Sequence, residues 1–560
     1  MLKTKIVSAL EKIFIDSPID SLGEVKKISA LRGERLSLQL AYSYVGVEGD
    51  DPYFTHEYAT VTLDGALAPY VKMHNVMQMP VTKPVAPNRY DDNYLRYTPG
   101  LYPDMLSPLT MGNKIAISAT GAPTVFSLWF EIDIPEDATA GECDLEVVIT
   151  SDPTGNVLAK ESVTIDVIGA TLPEQKLIVT QWFYCDTIAE QYDVEVWSDE
   201  HWRIVENFAR VAVKNGINLL LTPIFTPPLD TAIGGERLTT QLVEVRRTNG
   251  RYTFGYKLLD KWIDMCDRIG VKYLEISHLF TQWGAKHAPK IMATVDGEYK
   301  KLFGWETDAH GDEYAKFLRT FLRSFLKHMK ARGDDKRCFF HVSDEPNERN
   351  LADYKKSKRI VAGILKDYTI MDALSSYKFY KKGVVKHPIP ANNHIDPFIE
   401  GNVPDLWTYY CISQPIDVSN RFIAMPSYRT RSIGYQMYKY NIVGFLQWGF
   451  NYYHTMLSRG SINPVLELSG ESWPPAGDTH SVYPSRGGVA LESLRLLVFY
   501  DAITDIRAMQ LCESLYSKEE VVAAIEEELG FVATFKTCAH SADQILRMRE
   551  RINAMIKAKV

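Results

Sequence analysis

From Lys176 onward the sequence repeats one unit: an apolar run of strand length, a polar loop, and a helix with one apolar stripe. Strands separated by helices pair in parallel, so this alternation constrains the fold more than any other feature. The run "LIVTQWFY" ends in Gln181, Trp182 and Tyr184. A helix follows with Ser198 as its N-cap, with Trp202, Val205, Phe208 and Ala212 on one face and Gly216 at the exit. "INLLLTPIF" is the second strand, "YKLLDKWIDMCDRIG" a helix closed by Gly270, and "VKYLEISHLF" the third strand. Tyr314, Phe317, Leu318, Phe321, Leu322, Phe325 and Met329 then form a helical stripe that stops at Gly333. That leaves "KRCFFHVS" as a fourth strand between two helices. "YTIMDALSS", "DLWTYYC" and "NIVGFLQWGFN" continue the alternation, with helices at about 347–367 and 427–440. "HSVYP" is the eighth and weakest strand, ahead of the helical "LESLRLLVFYDAITDIRAMQL". Eight such units predict a (β/α)8 TIM-type barrel. A doubly wound open sheet is the alternative, but no glycine-rich phosphate turn follows the first strand.

The flanking segments obey other rules. Up to about residue 170, after the first dozen residues, the pattern has period two. "LSLQLAYSY", "YATVTLDG", "TVFSLWFEIDIP", "DLEVVIT" and "SVTIDVIG" are separated by turn clusters such as "PEDATAGE" and "SDPTGN". This predicts an N-terminal antiparallel β-sandwich, joined through "ATLPEQ" to the alternating region. Beyond about residue 512, "KEEVVAAIEEELG" and "SADQILRMRERINAMIKAKV" read as amphipathic helices packed on the barrel. The expected division is therefore 1–170, 171–512 and 513–560.

Composition excludes several classes. A net charge of -8 without a dense Lys/Arg run gives no electrostatic footprint for nucleic acid. No stretch approaches the roughly 20 apolar residues of a membrane span. The seven cysteines are scattered and form no CxxC, which argues against a disulfide framework and a zinc site and fits a reducing, cytoplasmic setting. No HExxH, GxSxG or P-loop is present, so neither a metal nor another cofactor is expected. The 31 Tyr and 10 Trp suit apolar sugar faces with polar rims, as well as ordinary packing.

The fourth strand ends in "HVSDEPNERN", with Asp344 and Glu345 side by side. Among 70 acidic residues chance supplies roughly nine adjacent pairs, so adjacency alone is weak. Position is not, because barrel chemistry sits at the carboxyl ends of the strands. Asp344 as a simple cap of the next helix is the structural alternative. Glycoside hydrolysis commonly needs one protonated and one ionised carboxyl, and neighbouring acids push their pKa values apart. Adjacent residues can rarely bracket a sugar as acid and nucleophile. They suit substrate-assisted hydrolysis, in which a 2-acetamido group supplies the nucleophilic oxygen. Retaining glycosidases with Asn-Glu-Pro after the fourth strand place a nucleophilic Glu after the seventh. Here the first segment reads Asp-Glu-Pro, and "FLQWGFNYYH" holds no acid; Glu467 and Glu471 lie well downstream.

"FFHVSDEPNE", "TQWGAKHAPKI" and the late "YP…LESLRLLVFYD" together resemble glycoside hydrolase family 123, the exo-acting β-N-acetylgalactosaminidases. The resemblance implies a β-sandwich before a (β/α)8 catalytic domain. It implies Asp344 as the residue that orients the acetamido group and Glu345 as the general acid/base. A cyclic oxazolinium and retention at the anomeric carbon are implied with them. The implied partner is a glycan or glycolipid ending in a 2-acetamido sugar. A β-N-acetylglucosaminidase, another 2-acetamido-sugar hydrolase and a non-catalytic carbohydrate-binding barrel are the alternatives.

Strand ends nominate the substrate-binding residues. Trp448 could floor the sugar ring, and Trp407 and Tyr409 end the expected sixth strand. Tyr409 or Tyr377 could donate to the acetamido carbonyl. Glu275 and His278 close the third strand and could hold hydroxyls; Asn218 opens the second. Asn451 and Asp478 are further candidates. The loop "WGAKHAPKIMATVDGEYKKLFGW", with Trp283, Lys286 and His287, is long enough to cover a pocket. Arg495 and Glu492 are expected to tie the last helix to the barrel.

Overall fold

The computed structural model describes residues 2–44, 55–109, 112–119, 124–471 and 475–560. It is a mixed α/β structure. Near the N-terminus, Leu2–Ser8, Arg35–Tyr44, Val125–Asp133, Val71–Val81 and Gly100–Pro108 form one antiparallel sheet in that order. A second sheet runs Lys27–Arg32, Val157–Thr171, Gly141–Ser151, Thr55–Asp64 and Lys114–Ala119. Its first pairing is parallel rather than antiparallel, with Ile165 opposite Ile28. The two sheets share one apolar cluster in which Leu38, Leu40, Leu128 and Phe130 meet Val61, Val147, Ile149 and Ile165. Alternate residues of a strand face opposite ways, so Trp129, between Leu128 and Phe130, instead joins the larger core of the α/β region.

Among the described residues, that region holds two all-parallel sheets with eight strands between them: β1 Ile178–Gln181, β2 Leu219–Thr222, β3 Tyr273–Ile276, β4 Cys338–Phe340, β5 Thr369–Ala373, β6 His387–Ile389, β7 Trp407–Tyr409 and β8 Gly444–Gln447. One sheet has the order β1–β8–β7 and the other runs from β2 through β6. Their edges are joined at two seams. Asn218 N donates to Val179 O at 3.1 Å, and Tyr409 N donates to Pro390 O at 3.1 Å beside a parallel Ala391–Tyr409 bridge. Side-chain alternation sorts the strands into two cores. Leu219, Leu221, Met371, Ile389 and Leu446 cluster together, while Val179, Leu220, Leu274 and Phe445 pack outward among the helices. The helices use the expected signals. Ser198 caps Asp199–Lys214 by accepting from His201 N, and Gly270 and Gly333 close their helices at φ +89° and +85°.

The order of the late strands differs from the sequence expectation. Trp407–Tyr409 is the seventh parallel strand and Gly444–Gln447 the eighth, because "HPI" supplies an unexpected sixth. Three residues containing Pro388 leave no period to read. Val482–Pro484, within "HSVYP", pairs antiparallel with Ala490–Glu492 and stands outside the parallel set. The segment after β3 also departs from a simple covering loop. Ile291–Val295 and Glu298–Phe303 form a hairpin about Asp296-Gly297, at φ +49° and +96°. That is the Asp-Gly turn a two-residue hairpin favours.

The C-terminal helices Lys518–Leu529 and Ala542–Lys557 bury Ile525, Met548 and Ile552 in the larger core. Arg549 also bridges Glu34 and Asp505, at 2.6 and 3.0 Å, so this segment clamps the N-terminal sheets as well. Arg495 likewise holds Asp104 of the first sheet through two 2.8 Å bonds. Glu492 receives Lys214 and Asn215.

Gly444 shows how tightly the inner core is built. A Cβ there would lie 2.0 Å from Cδ2 of Trp407. Gly444→Ala must therefore displace a buried indole, at a cost of about 1–3 kcal/mol. The expected result is a lower denaturant midpoint with an unchanged slope.

Candidate active site

Asp344 and Glu345 lie in the loop after β4, and neighbouring strands hold that loop from both sides. The Asp372 carboxylate, on β5, accepts Val342 N at 2.9 Å and Ser343 N at 3.2 Å, and its other oxygen receives the Tyr354 hydroxyl. Trp283 N donates to Asp344 O at 2.9 Å, and Glu345 N to Ala373 O at 3.1 Å. Glu345 sits at φ +41°, in the left-handed region that a non-glycine residue occupies only when its surroundings enforce it. In extended chain, neighbouring side chains diverge. This twist interrupts the alternation, and both carboxyl groups line one cavity. The cap of the next short helix is Asn347, which accepts from Arg349 N in a reciprocal arrangement with Asn350. Asp344 is thus not the cap, and the structural alternative fails.

The same cavity is lined by Trp182, Tyr184, Asp230, Gln282, Trp283, Tyr409, Ser413 and Trp448, among others. Tyr409 OH donates to Glu345 Oε1 at 2.7 Å. The Trp448 indole donates to Asp478 Oδ2 at 2.8 Å, and the same oxygen accepts Ile412 N. Asp478 therefore acts by fixing an aromatic wall. Burial raises its carboxyl to about 6, against the opposing pull of Arg421. Asp230 takes the Tyr452 hydroxyl at 2.5 Å and Leu457 N at 2.9 Å on one oxygen, and burial raises it to about 6 as well. Behind Tyr184, the buried Arg237 pairs with Asp186 at 2.7 and 2.9 Å and lies 4.7 Å from the Tyr184 ring centre.

Under the acid pair lies a buried polar layer. Glu275 accepts from Trp182 Nε1 at 2.8 Å and from the Thr180 hydroxyl, and contacts His341 Nε2 at 2.7 Å. The other His341 nitrogen is 3.6 Å from Asp372. Burial opposes the charged imidazole, but these two carboxylates outweigh it and lift His341 to about 9. Asp344 is pushed well above the ordinary carboxylate range, first by burial and then by the charge of Glu345, while His341 pulls the other way.

The structure thus brings together Asp344, Glu345, Tyr409, Trp448 and Trp283 of the residues proposed from sequence. It does not place the others in the cavity wall. Glu275 and His278 are buried beneath it, His278 stacked on His341 at 4.3 Å between ring centres. Asn218 is at the opposite, amino end of β2, where its side chain bonds Val179 N and Leu177 O. Trp407 likewise starts β7 and packs at Gly444 and Phe339. Tyr377 packs against Phe398 on the outside, and Asn451 holds both backbone groups of Tyr184. Lys286 pairs with Asp353 and His287 packs on Trp305. Asp230, Gln282 and Tyr184 were not proposed. Tyr184 carried a sequence signal at the end of the first strand and Gln282 stands within "TQWGAKHAPKI", whereas Asp230 lies in a loop that carried none. Among the described residues no group of three or more His, Cys, Asp or Glu could hold a metal, and no helix is long and apolar enough to cross a membrane.

Comparison with known proteins gives a family and a fold. Residues 182–512 match the glycoside hydrolase 123 catalytic domain. The whole chain superposes on a family 123 glycoside hydrolase from Clostridium perfringens, whose structure concerns glycolipid glycan hydrolysis. The TM-score is 0.74 at 16% identity, covering 100% of this chain and 98% of that one. A family 2 glycosyl hydrolase from Bacteroides cellulosilyticus (TM-score 0.26, 11% identity, 77% of this chain and 45% of that one) overlaps too poorly to carry an argument. So does a calcium-binding mutant of Bacteroides uniformis β-glucuronidase 2 (0.27, 10%, 86% and 48%). No curated protein matches the sequence.

Proposed function

The chain belongs to glycoside hydrolase family 123, and on that premise we propose that it removes terminal β-linked N-acetylgalactosamine by retaining, substrate-assisted hydrolysis. The observation that carries this is the adjacent acid pair opening into one cavity, with Tyr409 on Glu345. In this reading the substrate's acetamido oxygen attacks C1 while Glu345 protonates the departing glycosidic oxygen. The resulting oxazolinium is opened by water, whose proton returns to Glu345; two inversions give retention. Asp344 orients the acetamido N–H and stabilises the charge that develops there. Burial and the neighbouring charge of Glu345 raise the Asp344 carboxyl well above the ordinary carboxylate range. A hydrogen bond from the acetamido N–H favours the ionised form of Asp344 that this role requires. Trp448 and Tyr184 wall the sugar, and Tyr409 aligns the acid.

We also read the eight parallel strands as a closed (β/α)8 barrel spanning 171–512, after a β-sandwich over 1–170 and before a helical segment over 513–560. The two seams between the sheets support closure. A glycolipid glycan is the substrate class that the C. perfringens relative suggests. The seven unpaired cysteines fit a cytoplasmic setting.

Asp230 motivates a second reading, since it is a third carboxylate in the cavity wall and could serve as an enzymic nucleophile. Hydrolysis of an aryl β-N-acetylgalactosaminide beside the matching aryl β-galactoside separates the two. The expected result is cleavage of the first only. Comparable cleavage of both would overturn substrate assistance and turn attention to Asp230. Preference for the gluco epimer would overturn the sugar assignment alone.

A further inference from the structure

We propose that Tyr90 and Tyr97 form a platform for the sugar that follows the terminal residue, on the leaving-group side of the cavity. The proposal rests on the catalytic reading above. Both residues belong to the connection between Val71–Val81 and Gly100–Pro108 of the N-terminal sheet. They are 43% and 41% exposed, with ring centres 4.9 Å apart, and Leu95 and Ile416, each 41% exposed, extend the apolar character. Large side chains left open together are candidates for a recognition surface.

The segment is held firmly although these rings are open. Buried Tyr94 donates its hydroxyl to Pro415 O at 3.0 Å. The Asp91 carboxylate accepts Asp417 N at 2.8 Å and pairs with Arg429 at 2.7 Å. Leu95 N reaches Ala424 O at 2.9 Å. Rings presented on a fixed backbone lose little conformational freedom when a ligand stacks on them.

Its anchors also locate the platform. Arg89 donates to Ser413 O at 3.4 Å, and Ser413 lines the cavity together with Cys411 and Ile412. These rim residues follow directly from Tyr409, which holds Glu345. The acid must reach the departing oxygen, so the remainder of the substrate leaves the cavity on the Glu345 side, toward this rim. A tyrosine ring offers an apolar face with a polar edge, which matches a sugar better than an acyl chain.

The test compares kcat/KM for a trisaccharide ending in β-N-acetylgalactosamine with that for methyl β-N-acetylgalactosaminide, whose aglycone is too small to stack on the rings. In the Tyr90→Ala/Tyr97→Ala double variant the trisaccharide value should fall roughly tenfold, while the methyl glycoside value stays within about twofold. Tyr90→Phe/Tyr97→Phe keeps the ring faces and should restore most of the loss. An unchanged trisaccharide value in the alanine variant overturns the platform and leaves the catalytic reading standing. A loss confined to glycan carried on lipid in neutral phosphatidylcholine vesicles also overturns it, assigning the rings to a lipid surface. Wild-type protein that cleaves neither substrate overturns both readings.

Discussion

Asp344→Asn should lower kcat/KM for aryl β-N-acetylgalactosaminides by roughly a thousandfold, for good and poor leaving groups alike. The reason lies in what the carboxylate is asked to do. It must hold the acetamido N–H in the attacking geometry and meet positive charge as the oxazolinium forms, and an amide has no charge to offer. Leaving-group quality does not relieve that need, because the ring closes in every case. Folding should not explain the loss. Asp344 has a raised folded-state pKa, so the folded protein holds its proton more tightly than the unfolded chain. Its ionisation therefore costs nothing below the unfolded carboxyl pKa and opposes folding progressively as pH rises toward the folded value. At neutral pH the asparagine variant should melt no lower than the wild type. Wild-type rates in a well-folded Asp344→Asn protein would remove the residue from the mechanism, and a low melting temperature would make the kinetic loss uninformative. The pair of measurements, rate and melting temperature, is thus needed together.

How far the sequence reaches is visible in the same residues. The acid pair was legible because a long helical stripe from Tyr314 to Met329, closed by Gly333, left the fourth strand no other place. Tyr409 and Trp448 followed from the end-of-strand rule. Trp407 failed under that rule because it starts its three-residue strand and faces Gly444, not the cavity. Asn218 failed for the same reason, and the short His387–Ile389 strand shifted the count of those after it. The hairpin turn at Asp296-Gly297 did carry a sequence signal, with both residues at positive φ. Asp372 carried none. It is one acid inside "YTIMDALSS", yet its carboxylate positions the backbone of the acid-pair loop. Residues that act through another residue's backbone leave no periodic trace, since nothing nearby in sequence depends on them. Asp230 is hidden differently: its meaning comes from meeting Gln282 and Tyr452 across long separations.

Glu345→Gln should separate substrates that Asp344→Asn treats alike. Removing a general acid costs about 10²–10⁴ in rate when the departing oxygen needs a proton, and far less when it leaves as a stabilised anion. For an oligosaccharide the variant should therefore lose at least about a thousandfold, and for an aryl glycoside of a strongly acidic phenol tenfold or less on the first step. Deglycosylation still requires the residue as a base, so kcat should fall more than kcat/KM with the activated substrate. An early burst of phenol followed by slow turnover is the expected trace. Glutamine retains an oxygen that can accept from Tyr409, whose hydroxyl holds Glu345 Oε1 at 2.7 Å. The side chain can thus keep its place, and the kinetic change can be assigned to the missing proton. Tyr409→Phe provides the counterpart: it keeps the proton but releases the acid's orientation, and should lower the oligosaccharide more than the activated substrate, by smaller factors than Glu345→Gln. If Glu345→Gln instead slows activated and natural substrates equally, the proton donor is another residue. Asp344 would then be the first to test in that role, because the raised pKa of its carboxyl keeps it protonated to higher pH than an ordinary carboxylate.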